Sequence, residues 1–98
     1  MLSNADLQEM LSKLRNCNLV ASVRRNQEIE IIGGTEERNA GVLSTFKNGF
    51  TISREDGIWI GRMPGPGQTS VEKSSADLAE TIDLVCEYYS SLPEGFFN

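Results

Sequence analysis

The chain has 98 residues, 39% hydrophobic and 23% charged, with a formal charge of −5 and two cysteines but no histidine. Those values describe one globular domain spanning residues 1–98 and exclude a disordered chain, a two-domain protein and a disulfide scaffold. Fourteen acids against nine bases leave no basic footprint for phosphate, so nucleic acid is not an expected partner.

Ser3 and Asp6 have the spacing of a capping box, with Leu2 and Leu7 placed as its hydrophobic staple. Leu7, Met10, Leu11 and Leu14 then recur at helical spacing, which predicts a first helix over Asn4–Arg15. Asn16 and Asn18 are its stop signals. Two strands follow, Leu19–Arg24 and Glu28–Ile32, joined by Arg25-Asn26-Gln27. Pairing Arg24 with Glu28 sets Val23 opposite Ile29 and Ala21 opposite Ile31, and keeps Ser22 and Glu30 on the other face.

Gly33–Gly41 reads as a polar connection bracketed by glycines. Beyond it, Lys47-Asn48-Gly49 and Glu55-Asp56-Gly57 each read as a three-residue loop with glycine in the left-handed conformation. The first loop pairs Phe46 with Phe50. The second pairs Ile52 with Ile60 and Ser53 with Trp59. In these registers Val42, Phe46, Phe50, Ile52, Ile58 and Ile60 share one apolar face.

Arg62–Gly67 carries two prolines that cannot donate to a ladder, so the regular sheet is expected to end there, with Gln68–Lys73 as an optional edge strand. Ser74 and Asp77 repeat the capping-box spacing and open the last helix. Leu78, Ile82, Val85, Tyr89 and Leu92 line one face of that helix, and Pro93 stops it. The order is a helix, about five antiparallel strands in a meander, and a helix. Two striped helices and one apolar sheet face give an α+β two-layer sandwich, with both helices packed on that face.

The residues for chemistry are sparse. Without histidine the commonest general base and metal ligand are missing, so no catalytic residue, metal site or cofactor is expected. The acid pairs fall in turns, on a strand's outer face or in a helix's first turns, where each has an ordinary role. Pro64-Gly65-Pro66-Gly67 lacks the lysine of a phosphate loop. No apolar run reaches the roughly 20 residues that span a bilayer. The N-terminus has no basic segment or long apolar run of a signal peptide, so membrane contact is not expected and the expected location is cytoplasmic.

Trp59, the single tryptophan, is expected on the solvent face with Thr45, Thr51, Ser53 and Leu43. An indole among small neighbours has the make-up of a binding hot spot. The expected function is therefore a non-enzymatic protein-interaction module, acting by self-association or as an adaptor, chaperone-like or toxin-neutralising protein. Its acidity favours a basic partner or serves solubility alone. The alternative is a small-molecule-binding domain or minor enzyme with a pocket near Pro64–Gly67. The Gly95-Phe96-Phe97 tail is a second sticky feature.

Overall fold

Ser3 starts the first helix as its spacing requires. Its hydroxyl accepts from the Asp6 N–H at 3.1 Å while Asp6 Oδ2 accepts from the Ser3 N–H at 3.1 Å. In the computed structural model the described residues are 2–25, 27–37, 45–93 and 96, the side chains of residues 37, 45 and 46 apart. The elements are α1 (Asn4–Asn16), β1 (Leu19–Arg25), β2 (Ile29–Glu37), β3 (Thr45–Glu55), β4 (Ile58–Pro64), β5 (Ser70–Ser75) and α2 (Leu78–Ser91). The strands form one antiparallel sheet in the order β1-β2-β3-β4-β5.

Both helices lie on one face, as the apolar stripes require. A single buried cluster joins Leu14 of α1, Ile31, Phe50, Ile52, Trp59 and Met63 of the sheet, and Leu78, Ile82 and Val85 of α2. The protein is thus an α+β sandwich. Among the described residues no helix is long and apolar enough to cross a membrane.

The five strands are not the five expected from the sequence. Lys47-Asn48-Gly49 makes no hairpin, and β3 runs straight through it. Thr35 pairs with Lys47 and Gly33 with Phe50, so two residues of β3 oppose Gly34 alone. Asn48 takes the left-handed conformation (φ 57°) in that bulge, and its side-chain amide donates to Thr35 Oγ1 at 3.0 Å. The Asn-Gly pair therefore bends a strand instead of ending one. The optional edge segment restores the count by forming β5.

Asp56-Gly57 is a hairpin of two residues, not three. Both have positive φ, 52° and 79°, the pattern of a type I′ turn. Glu55 then faces Ile58, Arg54 faces Trp59 and Ile52 faces Gly61. This moves β4 by one residue against the expected register, and a one-residue slip exchanges the two faces. Ile58 and Ile60 go outside, while Trp59, Gly61 and Met63 go inside.

Smaller corrections have local causes. β1 and β2 pair Arg24 with Glu30 and Ala21 with Gly33, two residues from the expected register, which leaves the faces unchanged. Gly33 belongs inside β2 because an ideal Cβ there would lie 2.1 Å from the Val20 carbonyl oxygen. The α2 cap is Asp77, whose carboxylate accepts from the Ala79 N–H at 3.1 Å. Ser74 stays in β5. Pro64–Gly67 leads from the end of β4 towards β5. Its Gly65 N–H donates to the Thr69 carbonyl at 2.9 Å.

Gly61 is where α2 sits down on the sheet: an ideal Cβ there would be 2.7 Å from Val85 Cγ2. Val85 is fully buried and β-branched, so it cannot swing aside without moving the helix. Gly61→Ala is expected to cost about 1–3 kcal/mol through overpacking. Ile52→Ala should cost about 2–5 kcal/mol through the cavity it leaves. Urea denaturation measures both, and an unchanged midpoint for Gly61→Ala would contradict this seating of α2.

Candidate functional site

The sheet has a second face, and alternation along each strand decides what it carries. Val20, Ser22 and Arg24 of β1 share it with Glu30 and Ile32 of β2. Thr51, Ser53 and Glu55 of β3 follow, then Ile58, Ile60 and Arg62 of β4, and Glu72 and Ser74 of β5. No described helix lies on this face. Ile58 is 37% exposed, and Val20, Ile32 and Ile60 are half-buried.

Arg62 is the hub of the face. Its guanidinium contacts Glu55 at 2.7 Å and Glu72 at 3.4 Å, and donates to Ser53 Oγ at 3.4 Å. Glu55 first, and Glu72 after it, hold the guanidinium above its ordinary range. A second pair, Arg24 with Glu30, spans β1 and β2. Exposed pairs of this kind contribute little to stability. They do fix charged groups in known places on a face that mixes four aliphatic residues with Ser22, Thr51, Ser53 and Ser74.

Of the expected site residues, Thr51 and Ser53 lie on this face, both half-buried. Thr45 lies in β3 with its side chain outside the described residues, and Leu43 is also outside them. Trp59 is on the opposite face, 8% exposed and part of the core. The expectation of a solvent-facing indole is corrected by the two-residue turn at Asp56-Gly57. The residues that β4 presents on this face are Ile58, Ile60 and Arg62, whereas the register expected from the sequence puts both isoleucines in the core. Along β4, Ile58 and Ile60 are as apolar as Trp59 and Met63, and Arg62 is the one charge that marks their phase as the outer one.

Among the described residues a cleft of about 450 Å³ opens beside Arg24, Glu28, Glu30 and Ser53, and two others bear on the expected residues. One of about 420 Å³ is lined by Leu2, Glu28, Ile29, Arg54 and Trp59. The other, about 350 Å³, lies where the ends of α1 and α2 meet the β3 bulge, with Cys17, Lys47, Asn48, Tyr89 and Phe96 among its walls. Tyr89 donates from its hydroxyl to the Asn48 carbonyl at 2.5 Å, and burial first and then Tyr88 raise its pKa. The Pro64–Gly67 loop lines neither cleft. Of the tail, Phe96 turns back into the 350 Å³ cleft. Gly95 and Phe97 are outside the described residues.

Among the described residues no group of three or more Cys, Asp or Glu side chains is placed to hold a metal ion. The arrangement offers a surface for contact and several open clefts. No family model, curated protein or solved structure matches this chain.

Trp59→Ala is expected to cost about 3–5 kcal/mol, the range for emptying an aromatic core position. Ile60→Ala, one residue away on the outer face, should cost much less. Chemical denaturation of the two variants side by side checks this, and equal costs would contradict the assignment of faces.

Proposed function

We propose that this chain is a small non-enzymatic interaction module that pairs with a second copy of itself through the outer face of the sheet. One observation carries the reading: among the described residues this face has no covering element, yet it holds Val20, Ile32, Ile58 and Ile60. A lone solvated sheet face more often alternates to polar side chains, and aliphatic residues left uncovered on such a face suit a contact surface.

The charges on the face support self-pairing. It carries Arg24 and Arg62 together with Glu30, Glu55 and Glu72. A two-fold interface sets a surface against itself, so a face of one sign would repel its copy, while a mixed face can pair. Much of the chain's acidity lies elsewhere, at Asp77, Glu80, Asp83 and Glu87 along α2, and so does not oppose this contact. A standard interface takes about 800 Å² from each partner, roughly an eighth of this chain's 6516 Å² surface. One face of a five-stranded sheet is the right scale. A basic protein partner is the heterotypic form of the same reading, favoured by the acidic side of α2.

A second reading, small-molecule binding, rests on the 420 Å³ cleft. Leu2, Ile29 and Trp59 give it apolar walls, with Arg54 and Glu28 as opposite charges at its margin. Apolar area with a few fixed polar groups is how such sites are built. A ligand there would alter Trp59 fluorescence without changing the association state.

Light scattering across a concentration series tests the proposal. The wild type is expected to dimerise, and Ile60→Lys to be monomeric with little change in its melting temperature. A wild type that stays monomeric throughout, or a dimer indifferent to both Ile60→Lys and Ile32→Lys, would overturn it.

A further inference from the structure

α1 and α2 meet at a crossing held by two matched pairs of side chains. Lys13 Nζ contacts Asp83 Oδ1 at 3.0 Å. One helical turn along α1 and nearly one along α2 come Cys17 and Cys86, on the same sides of their helices by i, i+4 and i, i+3 spacing. Cys86 Sγ donates to the Lys13 carbonyl at 3.8 Å, the carbonyl one turn below Cys17. Both cysteines are free thiols.

Their environments differ in a useful way. Cys86 is 7% exposed. Cys17, the C-cap of α1, is half-buried and lines the 350 Å³ cleft that opens to solvent. An oxidant can therefore reach Cys17 first, with Cys86 waiting behind it. Burial first, and then the Cys17 side chain, push the Cys86 thiol up to about 12, with Asp83 and Lys13 as the charged neighbours.

We propose that Cys17 and Cys86 are an oxidisable pair that a hydroperoxide converts into a disulfide joining the end of α1 to α2. In the first step the Cys17 thiolate attacks a peroxide oxygen. The O–O bond breaks, giving a Cys17 sulfenic acid and an alcohol or, from hydrogen peroxide, water. In the second step Cys86, having lost its proton, attacks the sulfenic sulfur. The S–O bond breaks, water leaves and the S–S bond forms. Two thiols and one peroxide give one disulfide, two electrons passing from sulfur to oxygen. The raised Cys86 makes the second step the slow one, and position offsets part of that.

The crosslink would enclose the whole sheet between the two helices. A loop of that length strongly restricts the unfolded chain, so oxidation should raise the melting temperature by roughly 10 °C or more. This outcome does not depend on the association state of the protein.

The test treats the folded full chain with hydrogen peroxide, then unfolds it without reductant and labels it with iodoacetamide for intact-mass analysis. The expected product is monomeric in covalent terms, takes no label, is lighter than the reduced chain by two hydrogens, melts higher and reverts with dithiothreitol. Cys86→Ala should halt at a Cys17 sulfenic acid that dimedone traps, and Cys17→Ser should leave Cys86 fully labelled. Wild type that loses label at Cys17 alone, or crosslinks between chains through Cys17, would overturn the proposal. So would a disulfide that forms without raising the melting temperature.

Discussion

Two successive residues in the left-handed region, Asp56 and Gly57, decide what this protein shows to its helices and to solvent. A type I′ turn joins strands through two residues and matches their twist, so it leaves no freedom in the pairing of β3 with β4. Side chains alternate with a period of two, and the pairing therefore fixes every residue of β4 at once. Trp59, Gly61 and Met63 face the helices, while Ile58, Ile60 and Arg62 face away. The core and the proposed contact surface are two sides of the same constraint.

What α2 does on the inner face follows from it. Gly61 provides the recess into which Val85 and Thr81 settle. Thr81 then donates to the Trp59 carbonyl at 2.9 Å, Tyr88 to the Pro64 carbonyl at 2.6 Å and Tyr89 to the Asn48 carbonyl at 2.5 Å. Pro64 ends β4 and Asn48 sits in the bulge, places where a ladder leaves carbonyls unmatched. The helix thus packs its apolar stripe and also completes the hydrogen bonding of an irregular sheet. Among the described residues no buried side-chain nitrogen or oxygen lacks a partner. Tyr89 also meets Phe50 edge-on, with ring centroids 5.9 Å apart.

Local signals in the sequence were legible where the physics is local. The Ser3–Asp6 box and the stripe of α2 need only neighbouring residues, and both appear as read. The hairpins were harder, because similar Asn-Gly and Asp-Gly pairs have different fates. One is a bulge within a strand, and the other is the turn that the two-residue rule favours. Reading both as three-residue loops gives a self-consistent set of faces that is right for Phe50, Thr51, Ile52 and Ser53 and one residue out of phase along β4. β4 offers one charged cue: Ile58 and Ile60 are as apolar as Trp59 and Met63, but Arg62 shares the phase of the two isoleucines and favours turning it outward. Size is a second cue. A glycine at 61 leaves space for a helix only if it faces inward. The candidate surface was therefore half legible, with Thr51 and Ser53 in place and Trp59 exchanged for Ile60 and Arg62.

The assignment of faces has a direct optical test, because the chain has a single tryptophan. Native-state fluorescence with acrylamide quenching reports the environment of Trp59 alone, in a wild-type protein. The expected result is emission well to the blue of the urea-unfolded chain, with quenching that rises sharply only on unfolding. The same result should hold at concentrations where the protein is monomeric. Emission and quenching in the native monomer equal to those of the unfolded chain would place the indole in solvent and contradict the register on which the core and the outer face both depend.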